Sequence, residues 1–461
     1  MTRTIGAAHL LLEDGWASPG HVVADDHGMI VSAAPGAARD PDRILHGFVL
    51  PGMANLHSHA HHRGLVGFAD RLRHGSAATL WSWRATMYHH LLGLQPSDLE
   101  AYATLAYIEM LKRGYTSVGE FHYLHHDPDG ARYATVGECS ERIVAAAATA
   151  GIALTLLPVL YTSGGVGRPP ERAQRRFVTT VDEYLTLVGW LDALAARSPL
   201  LEVGVAPHSL RAVTPEELEL VLGARRTGPV HIHAAERPEE VAEITAGLGE
   251  RPVQWLLAHA GLDERWCVIH ATHMTQAERR GLAASGAVAG LCPLTEANLA
   301  DGRFDLAAFR REGGRLGVGT DANHLIDLPG ELRMLEYGQR LAGHRRETLL
   351  APGEASVGAV LHGLALAGGA QALAQRTAAT APGARCDLVE LDPEHPVLAG
   401  QVPETVLDAW IFSSASDTLV RTVLVGGQEV IGEGRHRHEQ DARRRVAAVM
   451  RERHAGGRSA S

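Results

Sequence analysis

Through the middle of the chain, short continuous apolar runs alternate with longer stretches whose apolar residues recur at helical spacing. The runs fall at 48–57, 116–121, 152–160, 201–207, 229–233, 267–270, 287–292 and 316–321. Unbroken apolarity is expected of strands buried on both faces, as in parallel sheets. Between them, 96–113, 131–150 and 214–225 read as helices, the first with Ser97 as its N-cap. Eight strands alternating with helices across 48–385 predict an α/β fold, a (β/α)8 TIM barrel. The longest interruption, 63–95, carries Trp81, Trp83, Arg84 and Tyr88 and is expected to fold over the barrel mouth.

The flanks have another rhythm. Residues 1–47 and 386–435 hold short β-patterned pieces, 409–411 among them, separated by Gly, Pro and Asp. Each flank has too few strands for a core, so the two ends are expected to combine in one small β-sandwich domain. Residues 436–461 read as a charged helix and tail.

Composition narrows the function. The net charge of -10 over 461 residues argues against nucleic acid or an anionic membrane as partner. No apolar run reaches the roughly 20 residues that span a bilayer, no signal-peptide core follows the start, and the four scattered cysteines form no disulfide frame. A reducing, cytoplasmic location is the expectation. Lysine occurs once, at Lys112, in a helical stretch and not in a glycine-rich loop, so Walker-type chemistry has no place. Histidine, by contrast, occurs 27 times.

Many of those histidines fall where chemistry is expected. Active sites of barrels gather at the C-terminal strand ends. The first strand runs into His57-Ser58-His59, whose alternation places both imidazoles on one side. Others run into His208-Ser209-Leu210-Arg211, His233-Ala234-Ala235-Glu236, His270 and Asp321. Each piece alone has a plain reading as a packed imidazole or a helix cap. Together, in this order at successive strand ends, they read as a metal-dependent catalytic rim.

The same residues carry a resemblance. His57-x-His59, His233, His270 and Asp321 resemble the amidohydrolase superfamily across about residues 1–435, and His233-Ala-Ala-Glu236 looks like the His-x-x-Glu of its deaminase branch. Leu50-Pro-Gly-Met-Ala-Asn-Leu-His-Ser-His59, Ala206-Pro-His-Ser-Leu-Arg-Ala-Val213 and Cys292-Pro-Leu-Thr-Glu-Ala-Asn-Leu299 are similar to the formimidoylglutamate deiminases within it. The segments 114–130 and 335–341 add to that match.

Three imidazoles (His57, His59, His233) and the Asp321 carboxylate, with one position left for water, fit a single catalytic Zn2+; Fe2+ or Mn2+ could use the same ligands. The strand near 201–207 has no lysine to bridge a second metal, so one divalent ion per subunit is expected. Such an ion lowers the pKa of a bound water towards roughly 7. Asp321 is placed to accept the water proton. Glu236, three residues past His233, is placed to pass a proton to the leaving nitrogen; the resemblance implies that His270 stabilises the attacking oxygen without ligating.

The implied reaction is hydrolytic release of ammonia from an amidine, N-formimidoyl-L-glutamate to N-formyl-L-glutamate in histidine degradation, by a homodimer. Arg84, Tyr123, His208 and Arg211 match the family's substrate-holding positions, suited to an anionic small molecule. His62, also expected to bind substrate, stands where the family has a substrate-contacting glutamine, Arg237 stands where glutamine is common, and Thr320-Asp321-Ala322, followed by Asn323, replaces a Ser-Asp-Ser stretch. A related amidine or guanidine is therefore a further candidate. One rival is a deaminase of an amino-substituted purine, pyrimidine or triazine, with Trp81, Trp83 and Tyr123 as a stacking wall. The other, a non-catalytic scaffold, is disfavoured because no required ligand is missing.

Overall fold

The structure, a computed structural model, describes residues 2–67, 80–346, 348–413 and 419–457, without the side chains of 80–85 and 454–457. Both chain ends enter one mixed sheet. Its strands run in the order Gln428–Ile431, Val420–Val425, Leu388–Leu391, Arg43–Pro51, Arg3–Leu12, Gly20–Ala24 and Ile30–Pro35, with Gly15–Ala17 paired to Arg3–Leu12. The N-terminal pieces alternate buried and half-buried residues, as in Gly20–Ala24, so one face can be apolar. Ile5, Leu10, Val22 and Val49 on that side pack with Leu388 and Leu424 from the far end of the sequence. Each such fully buried side chain contributes about 1.5–3 kcal/mol.

Two parallel sheets make up the centre. One orders Ala206–Pro207, Ala153–Leu160, Tyr115–His122 and Met53–Ser58, with Leu201–Val203 also on Ala153–Leu160. The other orders Val230–Ala234, Trp266–His270, Val288–Leu291 and Arg315–Val318. Parallel bridges Val205–Val230 and Ser58–Asp321 link them at both edges. Every residue of Met53–Ser58, Tyr115–His122, Val230–Ala234 and Trp266–His270 is buried, which accounts for the unbroken apolar runs.

Four expectations are corrected. The run 48–57 is two strands: Arg43–Pro51 belongs to the mixed sheet and Met53–Ser58 opens the parallel set. Gly52 divides them, and a Cβ there would lie 2.2 Å from Thr116 Oγ1. The helix placed at 96–113 is Pro96–Leu111, capped by Gln95 and not Ser97, because proline, which lacks an N–H, takes the first helical position. The helix placed at 131–150 begins only at Glu138, after Gly137. The β piece at 409–411 lies in the helix Pro403–Ser413, where Val406, Leu407, Trp410 and Ile411 are buried at helical spacing that three residues cannot reveal.

Of the interruption 63–95, the structure describes a 3-10 turn, Ala60–Leu65, and the helix Leu80–Leu92. The side chains of Trp81, Trp83 and Arg84 lie outside the described residues. The lone lysine, Lys112, reaches the Glu439 carboxylate at 2.7 Å, tying the helix Pro96–Leu111 to the terminal helix Glu439–Gly457.

Candidate metal centre

His57, His59, His233 and Asp321 are brought together at the C-terminal ends of their strands, all buried. The Nε2 atoms of His57 and His233 lie 3.1 Å apart. Asp321 Oδ1 stands 3.6 Å from His57 Nε2 and 3.3 Å from His59 Nε2. The approach of these strands needs Gly319, where a Cβ would sit 2.7 Å from the carbonyl oxygen of His57. The amides of Thr320 and Asp321 both donate to that carbonyl, at 3.1 and 2.9 Å.

Hydrogen bonds on the far side of two rings fix what these atoms offer. His59 Nδ1 faces the carbonyl of Phe121 at 2.8 Å, and His233 Nδ1 the carbonyl of His208 at 3.0 Å. A carbonyl only accepts, so each Nδ1 carries the hydrogen and each Nε2 presents a lone pair. Burial lowers the pKa of all three imidazoles, and His57 is pushed down further by its neighbouring histidines, so the rings are neutral. Lone pairs directed at one another and at a carboxylate oxygen repel unless a cation stands between them. Three neutral imidazoles with a carboxylate, two of them oriented from behind by carbonyls, are a ligand set that fits one divalent ion.

Beside this group lies His270. Its Nδ1 is 3.2 Å from Glu296 Oε1 and its Nε2 is 3.9 Å from Glu236 Oε1. Burial by itself would lower the His270 pKa, but Glu236, the hydrogen bond to Glu296 and Asp321 together raise it to about 10. Backbone strain gathers here as well. Ala235, His270, Ala271, Asp321 and Asn323 all adopt positive φ, between 43° and 69°. For residues other than glycine this costs of order 1–3 kcal/mol each and marks positions held by their surroundings.

Behind the ligands runs a buried polar relay. Asn55 Nδ2 donates to Thr320 Oγ1 at 2.7 Å, Thr320 Oγ1 to Asn323 Oδ1 at 2.5 Å, and Asn323 Nδ2 to Ser58 Oγ at 3.0 Å. Ser58 donates to Glu120 Oε2 at 2.7 Å, and Glu120 also accepts from the amide of Ala60 and from Tyr107. Asn323 therefore supports the ligand-bearing strands and does not line the cavity. Burial raises the Glu120 carboxyl to about 7, against hydrogen bonds that pull it down.

A cavity of about 100 Å³ opens onto the centre. His62, Tyr123, His208, Arg211, Glu236 and His270, all expected from sequence, line it. His62 Nε2 is 2.7 Å from the Tyr123 hydroxyl. Arg211 Nε is buried and makes no hydrogen bond among the described residues. Arg237 is instead held by Asp301 at 2.8 Å. Sequence reasoning missed Tyr161 and Phe177, which join Tyr88 as an aromatic wall. Tyr161 directly follows a strand end and could have been found; Phe177 lies in a connection with no such signal. Glu296 and Cys292 were also missed as neighbours of His270.

A cavity whose floor combines imidazoles and a carboxylate from parallel strand ends has the form of a metal-dependent hydrolase. The chain belongs to the amidohydrolase family, whose model matches residues 48–430. It is 45% identical over 451 residues, 97% of this chain and 99% of the relative, to the formimidoylglutamate deiminase of Pseudomonas aeruginosa. It is 30% identical, over 94% of its length and 93% of the relative, to a 5-methylthioadenosine/S-adenosylhomocysteine deaminase of Natronomonas pharaonis. Among solved structures, an amidohydrolase from Brucella melitensis is similar at TM-score 0.92 and 44% identity, covering 98% of this chain and 99% of that one. An adenosine deaminase from Xanthomonas campestris with bound zinc shares the fold at TM-score 0.77 and 22% identity, covering 96% of this chain and 98% of that one.

Proposed function

We propose that this protein hydrolyses N-formimidoyl-L-glutamate to N-formyl-L-glutamate and ammonia. The carrying observation is the convergence of His57, His59 and His233 Nε2 atoms with Asp321 Oδ1, in a chain 45% identical over almost its whole length to a deiminase of that name. Water adds across the C=N carbon of the amidine, the bond to the terminal nitrogen breaks, and that nitrogen leaves as ammonia. A divalent ion, when bound, polarises the amidine and lowers the pKa of water towards roughly 7.

The protein's own groups do the rest. Asp321 accepts the proton of the attacking water. His270, charged among Glu236, Glu296 and Asp321, steadies the oxygen that adds. Glu236, on the cavity wall 3.9 Å from His270 Nε2, returns a proton to the departing nitrogen. Arg211, with its buried Nε unclaimed, receives a substrate carboxylate together with His208 and Tyr123, and Arg84 is assigned to the second carboxylate. His62 replaces an amide by a neutral imidazole, because burial lowers its pKa strongly, and its bond to Tyr123 fixes that hydroxyl.

The remaining assignments belong to the same reading. The two bridged parallel sheets form one (β/α)8 barrel spanning 53–385, and the ends 1–51 and 386–435 form the small β domain. The ion is Zn2+, one per subunit, in a cytoplasmic homodimer. No helix among the described residues is long and apolar enough to cross a membrane. Ammonia release is to be measured from N-formimidoyl-L-glutamate beside aminated purines, pyrimidines and triazines, with metal content determined on the same sample. Turnover of a heterocycle in preference to the amidine overturns the substrate assignment.

A further inference from the structure

Cys292 directly follows the strand Val288–Leu291 and stands at the N-cap of the helix Pro293–Leu299, fully buried. Its thiol has no part in the reaction described above. It is not isolated: His270, Cys292 and Asp321 each offer a donor atom, and the three atoms lie within 4.8 Å of one another. This trio is separate from His57, His59 and His233, and Asp321 stands at the edge of both.

One carboxylate organises two of its members. Glu296 Oε1 accepts from the amide of Cys292 at 2.9 Å and lies 3.2 Å from His270 Nδ1. Imidazole ligands are typically oriented by a carboxylate on the ring nitrogen that does not touch the metal, and His270 with Glu296 has that arrangement. Negative charge is concentrated around it: Glu236, Glu296 and Asp321 all act on His270. A thiolate, an imidazole and a carboxylate together select borderline-to-soft divalent ions such as Zn2+, Co2+ or Cd2+ over Mg2+ or Ca2+.

We propose that His270, Cys292 and Asp321 form a second, inhibitory position for a thiophilic divalent cation, which shares Asp321 with the catalytic ion. Occupation converts the Cys292 thiol to a thiolate and the His270 imidazolium to a neutral imidazole, both protons leaving to solvent, and takes up the lone pair of the His270 ring nitrogen so freed. Asp321 then bridges two cations and no longer accepts a proton, and His270 no longer steadies the incoming oxygen. The proposal rests on the single-ion reading of the first site.

The test starts from enzyme loaded with one ion and adds Cd2+ or Co2+ alone. A second equivalent is expected to bind with a thiolate-to-metal charge-transfer band, while activity falls at least tenfold. In Cys292→Ser and Cys292→Ala the band is lost, the first ion is retained, and inhibition needs at least tenfold more metal. Saturation at one ion without a thiolate band overturns the proposal, as does an unchanged band in both variants. A protein that takes up no ion at all fails the catalytic-site reading instead, so the two failures are distinguishable.

Discussion

Asp321 meets His57 twice: its amide donates to the His57 carbonyl at 2.9 Å, and its carboxylate stands 3.6 Å from the His57 Nε2. The backbone bond sets the position from which the side chain acts. Asp321→Asn keeps that backbone bond and the volume of the residue but removes the basic oxygen. We expect kcat to fall by about 10²–10⁴-fold, the usual weight of a general base, with an unchanged circular dichroism spectrum. Steady-state kinetics and metal content of the purified variant check this; near-normal turnover removes Asp321 from the mechanism.

Chelation should destabilise the protein. An ion bound to the folded chain at 100 times its dissociation constant adds about 2.7 kcal/mol. Removing it also leaves the His59 lone pair facing Asp321 and the His233 lone pair facing His57 Nε2. Thermal melts with and without a chelator are expected to differ by several degrees, with Zn2+ restoring the higher Tm. Identical melts would mean that no ion contributes to the fold.

Arg211 is expected to act on binding. Arg211→Met should raise KM for N-formimidoyl-L-glutamate by at least tenfold, with a much smaller effect on a neutral formamidine, since only the former carries carboxylates. Equal losses on both substrates contradict a carboxylate contact.

Glu120 gives a pH dependence of defined sign. Below its ordinary value of 4.5 the carboxyl is protonated in both the folded and the unfolded chain. Between there and about 7 the unfolded chain ionises while the folded protein holds the proton, so stability is lost as pH rises. The loss amounts to about 3 kcal/mol at pH 7 and levels off above it. Glu120→Gln cannot ionise, so its stability relative to the native protein should climb from pH 5 to pH 7. Denaturant midpoints at the two pH values provide the measurement, and a constant difference between the proteins would contradict it.

How much of this was legible beforehand depended on the physics of each feature. The parallel strands could be read because burial on both faces leaves an unbroken apolar run, and the ligands because they sit where those runs end. The boundary at Gly52 could not be read, since the apolar run passes straight through it; only the proximity of Thr116 makes it a break. The helix Pro403–Ser413 was misread from too short a window. Glu120 and Asn323 were invisible as supports because their partners, Ser58 and Tyr107 among them, are distant in sequence or on other elements. Phe177 reaches the cavity from a connection whose path no local pattern encodes.

The strand Arg43–Pro51 leads directly to His57, yet one of its edges is paired with Leu388–Leu391. During synthesis that edge stays open until more than three hundred further residues have left the ribosome. The strand before the two earliest ligands is thus made early and covered on that edge late. A nascent chain stalled before residue 388 would already hold every ligand of the centre, the last being Asp321, yet leave that strand edge unpaired, so what marks a truncated product is the open sheet and not a missing catalytic group.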